Sequence, residues 1–137
     1  MSLPDIPVSA LLLGNYETDR ALVRDVFRTL KWRLFEADGA RPLPAYPEAR
    51  RVQVIITDSP EWPNMLEELV SLTAAPQLVV TSRVADDCLW SEVLNRGGFD
   101  VLPEPFDREE LERVVSAAAR HYHSLSAYRS TAKASAA

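Results

Sequence analysis

A chain of 137 residues with 47% hydrophobic residues and a formal charge of −5 is enough for one compact domain with a real core and leaves no room for a second. The mild acidity and the lack of any Lys/Arg run argue against a nucleic-acid partner, and Cys88, the single cysteine, can build neither an internal disulfide nor a cysteine-based zinc site. With no apolar stretch of about 18 residues and no basic-then-apolar start, the expectation is a soluble cytoplasmic protein with no membrane partner.

Val8-Ser9-Ala10-Leu11-Leu12-Leu13 reads as a buried strand stopped by Gly14-Asn15. From about Thr18 to Lys31, Leu22, Val23, Val26, Phe27 and Leu30 recur at helical spacing. Trp32 to Ala37 alternates as a short second strand before Asp38-Gly39. Three closely spaced prolines, Pro42, Pro44 and Pro47, then leave space for at most one short helix, so the second crossover is expected to be irregular. Arg51 to Asp58 is a third strand, broken by Ser59-Pro60.

Beyond it, Asn64 with Glu67 fits a capping pair for a helix whose apolar face is Met65, Leu66, Leu69, Val70 and Leu72. Leu78 to Ser82 is a fourth strand. Asp86 or Asp87 starts the next helix, with Leu89, Val93 and Leu94 in its stripe and Gly97-Gly98 as its stop. Val101 to Phe106 is a fifth apolar run, and Asp107 with Glu110 repeats the capping pattern at a last helix carrying Leu111, Val114, Val115, Ala118 and Tyr122. Past His123 the apolar period ends. The expected organisation is an extension over 1–7, one domain over 8–123 and a flexible tail over 124–137.

Alternating strands and helices imply parallel strands joined by crossovers, and ligands of open α/β sheets gather at the carboxyl ends of the strands. Three marks converge there: Asp58 ending the third strand, Thr81-Ser82 ending the fourth, and the Pro-bracketed Glu104 after the fifth. This pattern, over roughly Val8 to Tyr122, resembles the receiver domain of two-component response regulators. The resemblance implies an α/β flavodoxin-like (βα)5 sandwich, with a five-stranded parallel sheet of order 2-1-3-4-5 and helices on both faces. It also implies that Asp58 is a phosphoacceptor and a ligand of Mg²⁺, with Thr81 beside it.

Two positions depart from the family pattern. The acidic pair that follows the first strand in receivers corresponds to Gly14-Asn15, which leaves Asn15 as a weak neutral ligand and makes the Mg²⁺ site degenerate. The lysine of the Lys-Pro pair corresponds to Glu104, which sets a like charge against Asp58 and opposes an incoming phosphoryl group. Glu17 and Asp19 lie nearby as candidate replacement ligands. The aromatic that family members often carry three places before the lysine corresponds to Val101, with Phe99 two residues earlier.

The reading that follows is a non-enzymatic, receiver-like module of phosphorelay signalling that acts mainly by protein–protein interaction. Its partner would be a histidine kinase or an effector, or a second copy meeting the fourth helix, fifth strand and fifth helix, with Trp90, Arg96, Arg108 and Arg113 as contact candidates. The alternatives are a working Mg²⁺-dependent phosphoacceptor using Asp58 and a flavodoxin-like small-ligand binder. The single glycine of Gly14-Asn15-Tyr16-Glu17-Thr18 argues against a dinucleotide loop. His121 and His123 read as solvated helix-end residues, Cys88 as a partly buried thiol, Trp32 and Trp90 as packing residues, and Trp62 as a residue able to cover the pocket.

Overall fold

The computed structural model describes residues 7–72 and 74–135, with side chains described up to residue 128. Five strands, β1 (Ser9–Leu13), β2 (Arg33–Ala37), β3 (Val54–Thr57), β4 (Gln77–Ser82) and β5 (Asp100–Pro103), form one parallel sheet of order β2-β1-β3-β4-β5. Four α-helices accompany them among the described residues: α1 (Arg20–Thr29), α2 (Trp62–Val70), α3 (Asp87–Asn95) and α4 (Arg108–Ser135). The sheet order is the one expected. The count of five helices is corrected to four, because the Pro-rich second crossover makes only two 3₁₀ turns, Leu43–Ala45 and Pro47–Arg50.

Strict alternation along the central strands divides the core in two. Ala10, Leu12, Val54, Ile56, Val79 and Leu102 face α1 and α4, where Val23, Phe27, Leu111 and Val115 meet them. Leu11, Leu13, Ile55, Leu78, Val80 and Val101 face α2, α3 and the 3₁₀ turns, where Leu43, Met65, Leu69 and Val93 close the second layer. Strands buried on both faces read as continuous apolar runs, which is why they were plain in the sequence. Edge strand β2 is only half-buried. Its first residue is Arg33, since Trp32 is spent on the turn and packs edge-on against Phe27 at 5.4 Å.

Helix starts follow local chemistry. The Asp86 carboxylate accepts the Leu89 N–H at 2.9 Å, and that of Asp107 accepts the Glu110 N–H at 3.0 Å, so both expected caps are present. Asn64 does not cap α2. The helix starts earlier, at Trp62, with Pro63 in its first turn, where a missing N–H costs nothing, and Asn64 instead donates to Glu61 Oε2 at 2.7 Å. The last helix continues past His123 to Ser135, where the sequence pattern pointed to a flexible tail. Its continuation is rich in Ser and Ala, and helix propensity, Ala's above all, can sustain a helix where the sequence has lost its apolar period. Residues 1–6 of the expected extension and 136–137 of the tail lie outside the described residues. No described helix is long and apolar enough to cross a membrane.

Candidate functional site: the carboxyl edge of the sheet

Asp58 directly follows β3 and continues the alternation of Val54 and Ile56, while Thr81 continues that of Val79, so both lean toward the layer of α1 and α4. The sheet therefore brings Asp58 and Thr81 to one edge, and Glu104, just past β5, joins them. Asp58 is half-buried, and its Oδ2 accepts the Asn15 backbone N–H at 3.3 Å. The Asn15 contact is thus through its main chain, while the residue as a whole is exposed. Glu17 is exposed too.

Gly14 is seated hard against the acid. A Cβ there would stand 2.1 Å from Asp58 Oδ1 and 2.7 Å from its Cγ, and φ is +154°, a conformation that side-chain-bearing residues rarely adopt. A side chain here would have to displace the Asp58 carboxylate and adopt a strained backbone conformation.

Glu104 is half-buried beside this edge. Burial, reinforced by the charges of Asp58 and Asp19, holds its carboxyl above the usual carboxylate range, and Arg83 opposes the shift. Among the described residues, no group of three His, Cys, Asp or Glu side chains is placed to hold a metal ion. Asp19 is 6% exposed, and its Oδ1 accepts the buried Phe106 N–H at 3.1 Å. That bond joins the start of α1 to the start of α4 and commits one Asp19 oxygen to the loop. With no side-chain ligand at Gly14, Asn15 exposed and one Asp19 oxygen already committed, the side chains present fit an octahedral Mg²⁺ site poorly.

The residue the sequence reading missed is Tyr16. It is 2% exposed, its ring lies 5.7 Å from that of Phe106, and its hydroxyl bonds the Thr81 hydroxyl at 2.7 Å. Thr81 Oγ1 also lies 3.5 Å from the Thr57 carbonyl. Burial pushes the Tyr16 phenol far above its ordinary value; the bond to Thr81 pulls the other way, and Asp58, Glu104 and Asp19 push it further up, so the group is neutral.

The other candidates separate from the edge. Trp62 is buried in the first turn of α2 with the Arg96 guanidinium 5.9 Å from its ring centre, so it does not cover the pocket. Cys88 is exposed, not partly buried. Trp90 is 48% exposed, with its indole N–H on Asp100 at 3.2 Å. Val101 faces the second core layer, and Phe99 packs on the first with the His121 ring 5.7 Å away. His123 is half-buried and hydrogen-bonds the Pro7 carbonyl at 3.1 Å. Arg108 binds Asp25, whose carboxyl is lowered by its bonds to Arg108 and Arg28, and Arg113 lies 3.9 Å from Glu110.

The signal receiver domain of a protein from Vibrio parahaemolyticus described as a LuxO repressor superposes with a TM-score of 0.74 at 14% identity, over 89% of this chain and 97% of that one. The fold is that of receiver domains. A Rhodopirellula baltica chain described as an adenylate cyclase matches with a TM-score of 0.72 at 16% identity, over 93% of this chain and 98% of that one. The receiver domain of a Pseudomonas aeruginosa sensor histidine kinase, which holds a magnesium ion in its active-site cleft, matches with a TM-score of 0.63 at 19% identity, over 82% and 98%. No family model and no curated protein matches the sequence.

Proposed function

We propose that this receiver-fold chain is a non-enzymatic signalling module that works by protein–protein contact, with Asp58 retained at the position of a phosphoacceptor but without the metal site that phosphoryl transfer needs. The observation that carries the reading is the seat of Gly14 against Asp58. Asp58 stands at the carboxyl edge of the sheet, and a Cβ at the neighbouring Gly14 would fit only if the Asp58 carboxylate moved aside, which supports the reading. Glu104 adds a like charge where the incoming group would bring more, and Coulomb repulsion of that kind grows as water is excluded.

The proposed contact face is that of α3, β5 and α4. These elements correspond to the fourth helix, fifth strand and fifth helix of the sequence reading, renumbered because one helix is missing. A cleft of about 590 Å³ opens there between Asp86, Trp90, Asp100, Pro103, Glu110 and Arg113. Val84, 71% exposed, and Trp90 add apolar surface beside it. Exposed aromatic surface rimmed by charge is how binding faces are built, and the excess of carboxylates here suits a partner segment carrying Lys or Arg. A kinase or effector protein, or a second copy offering Arg96 or Arg108, has that chemistry.

Intact-mass spectrometry after incubation with acetyl phosphate and Mg²⁺, beside an Asp58→Asn control, tests the reading. The expected result is no phosphoryl adduct on folded protein. An adduct present in the wild type and absent in the control would overturn it in favour of a working phosphoacceptor.

A further inference from the structure

Thr81 is the next-to-last residue of β4 and is followed by the segment Ser82–Asp86, which carries the chain to α3 and the Trp90 face. That segment is held by short local bonds: the Val84 N–H donates to Ser82 Oγ at 3.0 Å and the Asp86 N–H to the Val84 carbonyl at 3.1 Å. At the strand end the Ser82 carbonyl accepts the Glu104 N–H at 2.9 Å, and the Thr81 hydroxyl, one residue earlier, is the side-chain contact next to the segment. With Tyr16 at 2.7 Å and the Thr57 carbonyl at 3.5 Å, the polar neighbours of that hydroxyl lie inside the protein.

Tyr16 in turn has little freedom. Its Cε2 lies 3.0 Å from the place a Gly14 Cβ would take, its ring is against Phe106, and its hydroxyl is fixed by Thr81. The ring sits at the Gly14 side of the edge, bonded to Thr81, and the charges of Asp58, Glu104 and Asp19 add to burial in keeping the phenol neutral. Glycine at 14 is what leaves this space open.

We propose that Tyr16 is a built-in occupant of the Asp58 edge: it ties the Thr81 hydroxyl inward and holds the Ser82–Asp86 segment in one arrangement, independent of any event at Asp58. The inference rests on the receiver reading only for what the segment leads to. The latch itself is a property of the isolated chain. It regulates by fixing the binding face in a single state, so that a partner meets the same surface at all times.

Amide hydrogen exchange on the full chain tests it, comparing wild type, Tyr16→Phe, Thr81→Val and the double variant. Tyr16→Phe keeps the ring and removes only the hydroxyl. The expected result is faster exchange at Ser82, Val84 and Asp86 by about tenfold, the worth of one hydrogen bond in an opening equilibrium, with β2 amides unchanged. Thr81→Val should accelerate the same amides, and the double variant should add little more. Unchanged exchange in Tyr16→Phe, acceleration spread evenly over the sheet, or additive effects in the double variant would each overturn the latch. A phosphoryl adduct on Asp58 would overturn the binding-module reading while leaving this result to be judged on its own.

Discussion

Replacing Gly14 with alanine asks the Asp58 edge to accept a single methyl group. The new Cβ would stand 2.1 Å from Asp58 Oδ1, where ordinary contact begins at 3.4 Å, so the carboxylate must retreat by more than 1 Å and give up its bond to the Asn15 N–H. On the other side Tyr16 Cε2, at 3.0 Å, is itself held by Thr81. Overpacking of this kind costs about 1–3 kcal/mol, and the positive φ adds roughly 1–2 kcal/mol for a residue with a Cβ. A total near 3 kcal/mol corresponds to a fall in Tm of roughly 10 °C for a domain of this size. Urea unfolding followed by tryptophan fluorescence would measure it, in the wild-type background and again with Asp58→Ala, which deletes the two closest atoms. The cost of Gly14→Ala should then drop to about 1–2 kcal/mol, the backbone share. An equal cost in both backgrounds would refute the contact as the reason for glycine.

Two further outcomes follow from the same edge. Because the folded-state pKa of Glu104 is raised, its contribution is fully present below the unfolded value near 4.5 and is lost as pH rises through the folded value. Glu104→Gln should therefore flatten the Tm–pH curve above that point and stabilise the neutral-pH protein by a few tenths of a kcal/mol, the group being partly exposed; a loss of stability at neutral pH would contradict this sign. Asp19→Ala leaves the buried Phe106 N–H without its acceptor and should cost about 1–3 kcal/mol in chemical denaturation, while Asp19→Asn, which keeps an acceptor oxygen, should cost clearly less.

The strands were legible because a sheet covered on both faces writes itself as unbroken apolar runs, and Asp58, Thr81 and Glu104 could be placed because each ends such a run. Asp86 and Asp107 could be read as caps, since a cap is decided within four residues. Trp62 and Asn64 were misread because Pro63 serves as well inside a first turn as before a helix, and the choice is made by burial of the indole. Tyr16 was not legible. Its partner Thr81 is 65 residues away, and nothing local distinguishes a buried tyrosine from an exposed one in a turn. Asp19 was taken for a possible metal ligand for the same reason, because its partner is a backbone N–H supplied by a distant loop. The end of α4 was misplaced because loss of an apolar period marks loss of burial, which is not the same as loss of helix.

The Asp19–Phe106 bond spans 87 residues and links the element after β1 to the element after β5, with β3 and β4 lying between those strands in the sheet. The expectation is that a contact of that span forms after the crest of the folding barrier, so stopped-flow kinetics of Asp19→Ala should give a φ value near zero. Its energy then falls mainly on the unfolding rate. Asp19 is accordingly a determinant of how long the folded domain lasts once made, and has little say in how quickly it is made.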